Sequence, residues 1–295
     1  MEIKLILSPI DFSEFSIRTY RYALSLAEHY RAKLVAQHVV ELSRHTSLGF
    51  VASGGLYDEF CKALHENAEQ ELRNFVKQHT HGQIHPELVV QQGAAADDIL
   101  SFAQAQKADV IVMGTHGRRG FDRLVLGSVT DRVMRRSPCP VLAISKPSHE
   151  SLAADQQGHH VHHLSRILFC TDFSENSERA LNYAISATAE YDAELTLLHV
   201  LEDIPTPGTT QEAMATADEQ LDRLITPDKR KTIKIKTEVR IGKAYEQIIQ
   251  FAAEQQVDMV TMGVRGRGAL DAAVFGSTTY RVIQLGPCPV LAVRV

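Results

Sequence analysis

The sequence has no long apolar run and no large excess of charge of one sign. No apolar stretch approaches the roughly 18 residues that a membrane-spanning helix needs. The first residues, MEIKLILSPIDFS, reach an acid and a proline too early for a signal peptide. Charged residues make up 23% of the chain and the net charge is −5. These features argue against a membrane protein and against a nucleic-acid-binding protein.

Cysteine is scarce, and its spacing suggests neither disulfides nor a metal site. The four cysteines form no C-x-x-C pair, and two of them belong to PCPVLA stretches that are typical of buried strands. Scattered cysteines of this kind indicate reduced, structural thiols. We therefore expect a cytoplasmic protein.

The chain repeats itself once. IDFS after the first apolar run recurs as TDFS, which places Asp11 and Asp172 161 positions apart. Further on, Cys139 and Cys288 are 149 positions apart, so the second copy is shorter by 12 residues. At about 150 residues per domain, a chain of 295 residues fits two copies of one domain.

The copies are separated by a polar stretch. We predict a first domain over 1–146, a polar, histidine-containing linker over 147–164 and a second domain over 165–295. The tract GHHVHHL in this linker has four histidines, and such tracts can bind metal. A solvated linker is favoured over a zinc site, because no carboxylate or cysteine is fixed nearby to complete the site.

Within each copy, short apolar runs alternate with helical patterns. In the first copy, IKLILS, LVAQHVV, ELVVQQ, DVIVMG and PVLAIS are typical of strands, and Ser13 is placed to cap the first helix. Such alternation favours a parallel sheet with helices on both faces. We predict an α/β fold of two tandem, doubly wound, open parallel-sheet domains that are Rossmann-like.

Both copies carry a glycine frame with the spacing G-x2-G-x9-G-S. It reads GTHGRRGFDRLVLGS at 114–128 and GVRGRGALDAAVFGS at 263–277. Ligands of open α/β sheets bind beyond the carboxyl ends of the strands, where the strand order reverses. Asp11 follows the first strand and Gly114 the fourth, so these residues face one crevice if the two strands are neighbours.

The glycine frame suits a phosphate. Gly114 and Gly117 are expected to adopt positive φ and to let backbone N–H groups approach a ligand. Gly127 and Ser128 precede a predicted helix, whose N-terminus attracts anions. No Lys follows the last glycine, so this is not a Walker A loop. The alternative is that the glycines only close a tight loop and Ser128 only caps the helix.

Together, the glycine frame, the IDFS and TDFS turns and the closing CPVLA strands resemble the universal stress protein family, in its tandem two-domain, UspA-like form. The resemblance implies a fold similar to that of adenine nucleotide alpha hydrolases. It also implies the ATP-binding class of the family and a regulatory or signalling role in the stress response. Independently of the resemblance, positive charge for the phosphates could come from Arg118 and Arg119, from Arg265 and Arg267, and from Mg²⁺ held mainly by the phosphates.

The resemblance assigns roles to individual residues. Asp11 and Asp172 would contact the adenosine end of the nucleotide, and Val39 and Val200 would meet adenine through their backbone. Pro9 would shape the first pocket, where the second copy has Cys170. The remaining cofactor-binding assignments are Gly114, Gly117, Arg118, Gly127, Ser128 and Val129 in the first copy, and Gly263, Gly266, Arg267, Gly276, Ser277 and Thr278 in the second.

The expected partners follow from the same reasoning. The family pairs two such domains along the last strand, and exposed strand edges seek partners. We therefore expect PVLAIS and PVLAVRV to pair within the chain. A homodimer and a partner protein whose identity the sequence does not give are further expectations, whereas nucleic acid and membrane are not expected partners.

Catalysis has weaker support in the sequence. No catalytic pair recurs in both copies, so we assign no catalytic residue and no protein ligand to a metal. His38 and His199 lie in apolar strands, where a structural histidine with a satisfied ring nitrogen is favoured over a catalytic base. Asp122 and Asp271 recur in the glycine frame, where turn hydrogen bonding is favoured over ordering of magnesium or water. The alternatives to a binding module are a slow ATP hydrolase or nucleotidyl-transferring enzyme, and a scaffold that binds no nucleotide.

Overall fold

In the computed structural model the described residues are 2–42, 55–80, 82–115, 126–145, 152–154, 160–162, 164–202, 210–264 and 275–294. The interiors of both glycine frames, 116–125 and 265–274, lie outside these residues.

The first half alternates strands and helices as predicted. Its elements are β1 (Leu5–Pro9), α1 (Glu14–Tyr30), β2 (Lys33–Val40), α2 (Gly55–His79), β3 (Glu87–Gln92), α3 (Ala95–Ala105), β4 (Val110–Gly114), α4 (Ser128–Arg136) and β5 (Val141–Ile144). Ser13 is the N-cap of α1, and its side chain accepts a hydrogen bond from the backbone N–H of Ser16. The predicted cap is therefore confirmed.

The second half repeats this order with an altered middle. Its elements are β8 (Arg166–Cys170), α5 (Glu175–Tyr191), β9 (Glu194–Leu201), α6 (Thr210–Arg223), α7 (Pro227–Thr232), β10 (Lys234–Ile241), α8 (Ala244–Glu254), β11 (Met259–Gly263), α9 (Ser277–Leu285) and β12 (Val290–Val293). Between the halves, β6 (Leu152–Ala154) and β7 (His160–His162) pair antiparallel. The sequence analysis did not predict this small hairpin in the linker.

One ten-stranded sheet runs through both halves, in the order β10-β9-β8-β11-β12-β5-β4-β1-β2-β3. Each half contributes five parallel strands, with its first strand between its second and its fourth. In the first half, Ile6 lies opposite Val110 and Leu7 opposite Ile111. Helices α1, α2, α5 and α6 cover one face, and α3, α4, α8 and α9 cover the other. The predicted α/β class with helices on both faces is confirmed.

The halves join along their last strands. β5 and β12 are antiparallel, with Leu142 opposite Leu291 and Ala143 opposite Val290. All four of these side chains are buried. The expected pairing of the two domains within the chain is confirmed, and this joint is called the seam below.

A second contact between the halves joins the ends of α1 and α5. The rings of His29 and Tyr191 stack with centroids 4.1 Å apart, and Tyr30 packs edge-on against Tyr191 at 6.2 Å. His29 Nε2 lies 3.2 Å from Glu190 Oε1. Burial raises the pKa of Tyr30 to about 12, so its hydroxyl stays neutral in this cluster.

A carboxylate fastens the start of the first strand in each half. Asp109 Oδ2 accepts hydrogen bonds from the backbone N–H groups of Lys4 and Leu5 at 2.7 and 2.9 Å. Asp258 Oδ2 accepts from Ser165 and Arg166 at 2.8 and 2.9 Å. Each aspartate directly precedes the fourth strand of its half. Its hydrogen bonds therefore connect the start of the fourth strand to the start of the first strand, at the amino ends of the parallel strands.

We expect Asp258→Ala to lower the free energy of unfolding by about 1–2 kcal/mol, because two strand N–H groups lose a shared charged acceptor. Asp109→Ala should have a similar effect. Urea denaturation measures the change. Asp228→Ala, at an exposed site on α7, is the control and should stay within about 0.5 kcal/mol of the native chain. An unchanged stability of both Asp258→Ala and Asp109→Ala would contradict this role.

At the seam, Ala143→Asp should lower the free energy of unfolding by roughly 3 kcal/mol or more, because it buries an unpaired carboxylate between two strands. Denaturation followed by circular dichroism measures the loss. Ala63→Asp places the same charge on an exposed position of α2 and serves as the control. Equal stability of these two variants would show that the seam opens in solution.

Candidate functional site

The two candidate crevices lie at the carboxyl ends of the central strands. From β1 the chain continues into α1 on one face, and from β4 it continues towards α4 on the other. Since β1 and β4 are neighbours, these departures to opposite faces open a crevice between them. β8 and β11 make the equivalent arrangement in the second half.

Asp11 and Asp172 lie in the turn that follows the first strand of each half. Asp11 Oδ1 accepts hydrogen bonds from Ser13, from N at 3.0 Å and from Oγ at 2.6 Å. Asp172 Oδ1 accepts the same pair from Ser174, at 3.1 and 2.6 Å. The carboxylate therefore organises the start of the following helix. Both aspartates are half-buried at the mouth of their crevice.

The residue after each aspartate has an unusual backbone. Phe12 and Phe173 both have φ of 60°, a left-handed conformation that is rare for a bulky side chain. Each ring lies against a histidine of the next strand, with centroids 4.4 Å apart: Phe12 on His38 and Phe173 on His199. The same unfavourable turn is thus kept in both halves and held by the same contact.

The two histidines are structural, as predicted. His38 Nδ1 lies 2.7 Å from the carbonyl oxygen of Ile10, and His199 Nδ1 lies 2.9 Å from that of Thr171. Each ring therefore ties the second strand to the turn that carries the aspartate. The sequence contained this signal, because the D-F and H-V pairs recur at the same offset in both copies.

The start of each glycine frame is fixed by the sheet. Gly114 is the last residue of β4, and its carbonyl accepts a hydrogen bond from Thr130 Oγ1 at 2.8 Å. Gly263 accepts from Thr279 Oγ1 at the same distance. The expectation of positive φ is wrong for Gly114, since among the described glycines only Gly82 and Gly242 have it. Gly114 is extended because it pairs with β5.

The end of each frame forms a helix N-terminus. Gly127 is the N-cap of α4 and Gly276 that of α9, and neither helix has a side-chain capping hydrogen bond there. Ser128 and Ser277 are exposed first residues of their helices. The alternative in which Ser128 is itself the N-cap is therefore wrong. The following residues, Val129 and Thr278, are half-buried in the first turn.

Backbone hydrogen bonds bring the two ends of the frame together. The N–H of Gly127 donates to the carbonyl of Thr115 at 2.9 Å, and Gly276 donates to Val264 at the same distance. The helix N-terminus consequently lies beside the end of the fourth strand in both halves. This arrangement suits an anion, because N–H groups of a first helical turn have no acceptor within the helix.

The second strand borders the crevice on the other side. Val39 and Val200 are half-buried near the ends of β2 and β9. Two residues later, Glu41 Oε1 accepts from the N–H of Ala95 at 3.3 Å, and Glu202 Oε1 accepts from Ala244 at 2.7 Å. These carboxylates cap α3 and α8, which the sequence analysis missed. The bond to Glu41 thus satisfies the N–H of Ala95, the first residue of α3.

The first and second pockets differ in their linings. Pro9 lies opposite Gln37 in the sheet, whereas Cys170 lies opposite Leu198. Gln37 is only 1% exposed, and its Nε2 donates to Gln91. Burial raises the pKa of the Cys170 thiol, which is therefore a neutral, apolar group there. The sheet next to the first crevice thus contains a buried amide where the second half has an apolar side chain.

Several predicted residues lie outside the described part of the chain. These are Gly117, Arg118, Gly266 and Arg267, together with Asp122 and Asp271. Their assignments stay predictions. Among the described residues no group of three or more His, Cys, Asp or Glu side chains is placed to hold a metal ion, and no helix is long and apolar enough to span a membrane.

The cationic residues of α4 are already paired with carboxylates. Arg135 Nε lies 2.8 Å from Asp131 Oδ2, and Arg136 Nη1 lies 2.7 Å from Asp97 Oδ1. Arg132 is 3.6 Å from the same Asp97. Each of the three arginines of α4 therefore lies next to a carboxylate of the same half.

Several known proteins that are similar to this chain are universal stress proteins. A universal stress protein of Methanocaldococcus jannaschii is 35% identical over 147 residues, which are 50% of this chain and 85% of that protein. A universal stress protein of a Synechocystis species is 23% identical over 309 aligned positions, covering 99% of this chain and all of that protein. The crystal structure of a universal stress protein from Archaeoglobus fulgidus superposes with a TM-score of 0.64 at 22% identity, covering 98% and 96% of the two chains.

The model of the universal stress protein family matches residues 2–145 and again residues 163–294. These two matches take in nearly all of the chain and coincide with the two sheet halves. The chain belongs to the universal stress protein family, with two of the family's domains in tandem.

Proposed function

We propose that this chain binds ATP in one crevice per domain, with Mg²⁺ held through the phosphates, and acts as a regulatory or signalling module in the stress response. The observation that carries the proposal is the duplicated helix N-terminus. In both halves a glycine N-cap and an exposed serine lie beside the end of the fourth strand, and the neighbouring first strand leads into the turn that carries the aspartate. The two halves keep this arrangement although their surroundings have diverged.

In this proposal the two ends of the crevice bind different parts of the nucleotide. The first-turn N–H groups of α4 and α9 take the phosphates, because they combine unpaired donors with the positive end of the helix dipole. Asp11 and Asp172, at the other side, take the adenosine end. The backbone near Val39 and Val200 takes the base. The arrangement requires no protein ligand for magnesium, since the phosphates supply oxygen atoms.

The two sites should not be equal. The first has Pro9 and the buried amide of Gln37, and the second has Cys170 and Leu198 in their places. Thr115 at the start of the first frame is Val264 in the second. We propose that the first site is the tighter one. The neutral, buried thiols of Cys170 and Cys288 fit a reducing cytoplasm.

Saturating Mg-ATP should raise the melting temperature of the native chain by several degrees. Ligand at a thousand times its dissociation constant adds about 4 kcal/mol to the folded state. Gly117→Glu together with Gly266→Glu should abolish the rise, because a carboxylate then repels the phosphates at both frames. Ala63→Glu together with Ala253→Glu adds the same charge at exposed helical positions and should keep the rise. A native melting curve that Mg-ATP leaves unchanged would refute nucleotide binding.

Native mass spectrometry should find two adenine nucleotides per chain at saturating Mg-ATP. Gly117→Glu alone and Gly266→Glu alone should each retain one. On dilution, the native chain should lose the nucleotide of the second site first, because that site has Cys170 and Val264 where the first has Pro9 and Thr115. Detection of no nucleotide on the native chain would favour the scaffold alternative, and loss of the first-site nucleotide before the other would reverse the proposed order.

A further inference from the structure

The turns that lead into both helix N-termini touch the opposite half of the molecule. Leu126 directly precedes Gly127, and Phe275 directly precedes Gly276. Both side chains are buried, at 4% and 6% exposure. Each precedes a glycine that is hydrogen-bonded to the residue after β4 or β11, and both of these strands neighbour a seam strand.

A tyrosine of the second half reaches the first site. The backbone N–H of Leu126 donates to the hydroxyl oxygen of Tyr280 on α9, at 3.4 Å. The same tyrosine ring packs edge-on against Phe275, with centroids 6.1 Å apart. Tyr280 thus contacts the turn before Gly127 of the first site and the turn before Gly276 of the second.

An arginine of the first half makes the reciprocal contact. The guanidinium of Arg135 lies 5.5 Å from the ring centre of Phe275. Two hydrogen bonds to Asp131, from Nε at 2.8 Å and from Nη2 at 2.9 Å, fix its orientation. A cation over an aromatic face within about 6 Å is an attractive contact. The turn before Gly276 is therefore held by a side chain of the opposite half, as is the turn before Gly127.

These contacts do not follow from the internal symmetry of the fold. At the offset of 149 that relates Cys139 to Cys288, Tyr280 corresponds to Asp131 and Arg135 corresponds to Gln284. Asp131 has no ring and is bonded to Arg135, and Gln284 carries no positive charge to place over an aromatic ring. The two halves have thus acquired different, complementary side chains at the positions that touch the opposite site.

We propose that Tyr280 is a positioning residue that the second domain supplies to the first nucleotide site. Its hydroxyl holds the backbone of Leu126, and so aims the first-turn N–H groups of α4 at the phosphates. Because Tyr280 also packs on Phe275, the same side chain contacts the turns that lead into both nucleotide sites. The use of the contact for nucleotide affinity rests on the proposed function, whereas the positioning of the turn does not.

Tyr280→Phe removes the hydroxyl and keeps the ring, so the packing on Phe275 is preserved. The matched control is Tyr245→Phe, whose hydroxyl donates to Glu246 within the second half at 2.7 Å. The first measurement is NMR hydrogen exchange of the Leu126 amide without nucleotide. We expect Tyr280→Phe to accelerate this exchange by about threefold to tenfold, which is the effect expected when one hydrogen bond between neutral groups is lost. Tyr245→Phe should leave the exchange rate unchanged. An unaltered Leu126 exchange rate in Tyr280→Phe overturns the positioning role.

The second measurement separates the two sites by calorimetry with Mg-ATP. In a Gly266→Glu background, which leaves the first site, Tyr280→Phe should weaken binding by about threefold to tenfold. In a Gly117→Glu background, which leaves the second site, the change should stay within about twofold. A general loss of folding would weaken both sites, so equal losses, or none at the first site, overturn the proposal. If neither background binds nucleotide, the proposed function fails, and Leu126 exchange still decides whether Tyr280 positions the turn.

Discussion

The antiparallel pairing of β5 with β12 is the interaction on which the rest of the molecule depends. A five-stranded parallel sheet leaves the backbone groups of its last strand without partners on one side, and here the side chains of that strand are also buried. Pairing the two last strands gives these backbone groups hydrogen-bond partners and also covers the buried side chains. It also places β4 and β11, whose last residues Gly114 and Gly263 begin the glycine frames, one strand away from the joint. The closeness of the two crevices to each other is thus a consequence of how the sheet edge is closed.

The sequence predicted those parts of the fold that local patterns determine. Alternating apolar runs located the strands of both halves, and Ser13 located a helix start. The adjacency of β1 and β4 was only a condition of the predicted crevice, and the sheet order meets it. Features that depend on distant residues were missed. The N–H of Ala95 at the start of α3 donates to Glu41, which follows β2, and Gly114 is extended because it pairs with β5. Neither of these two contacts can be recognised from the residues that are adjacent in the sequence.

For the candidate site, the internal repeat was more informative than either copy alone. It identified the aspartate turn, the histidine beside it and the glycine–serine ends of the frames, all of which the structure places at two equivalent crevices. It did not identify the left-handed Phe12 and Phe173, because the strain is visible only in the backbone. Nor did it identify Tyr280 and Arg135, since a comparison of equivalent positions passes over residues that differ between the copies.

The cluster at the ends of α1 and α5 has a consequence for how such molecules evolve. His29 and Glu190 occupy equivalent positions in the two copies, and they face each other across the internal axis. In a dimer of identical subunits, a residue on the two-fold axis meets its own copy, so a histidine would face a histidine. Covalent fusion removes that constraint, because each copy can mutate alone. A tandem chain can therefore place an acid opposite a base. Its two halves then differ as the subunits of a heterodimer do, and the covalent link keeps each half from leaving for another molecule.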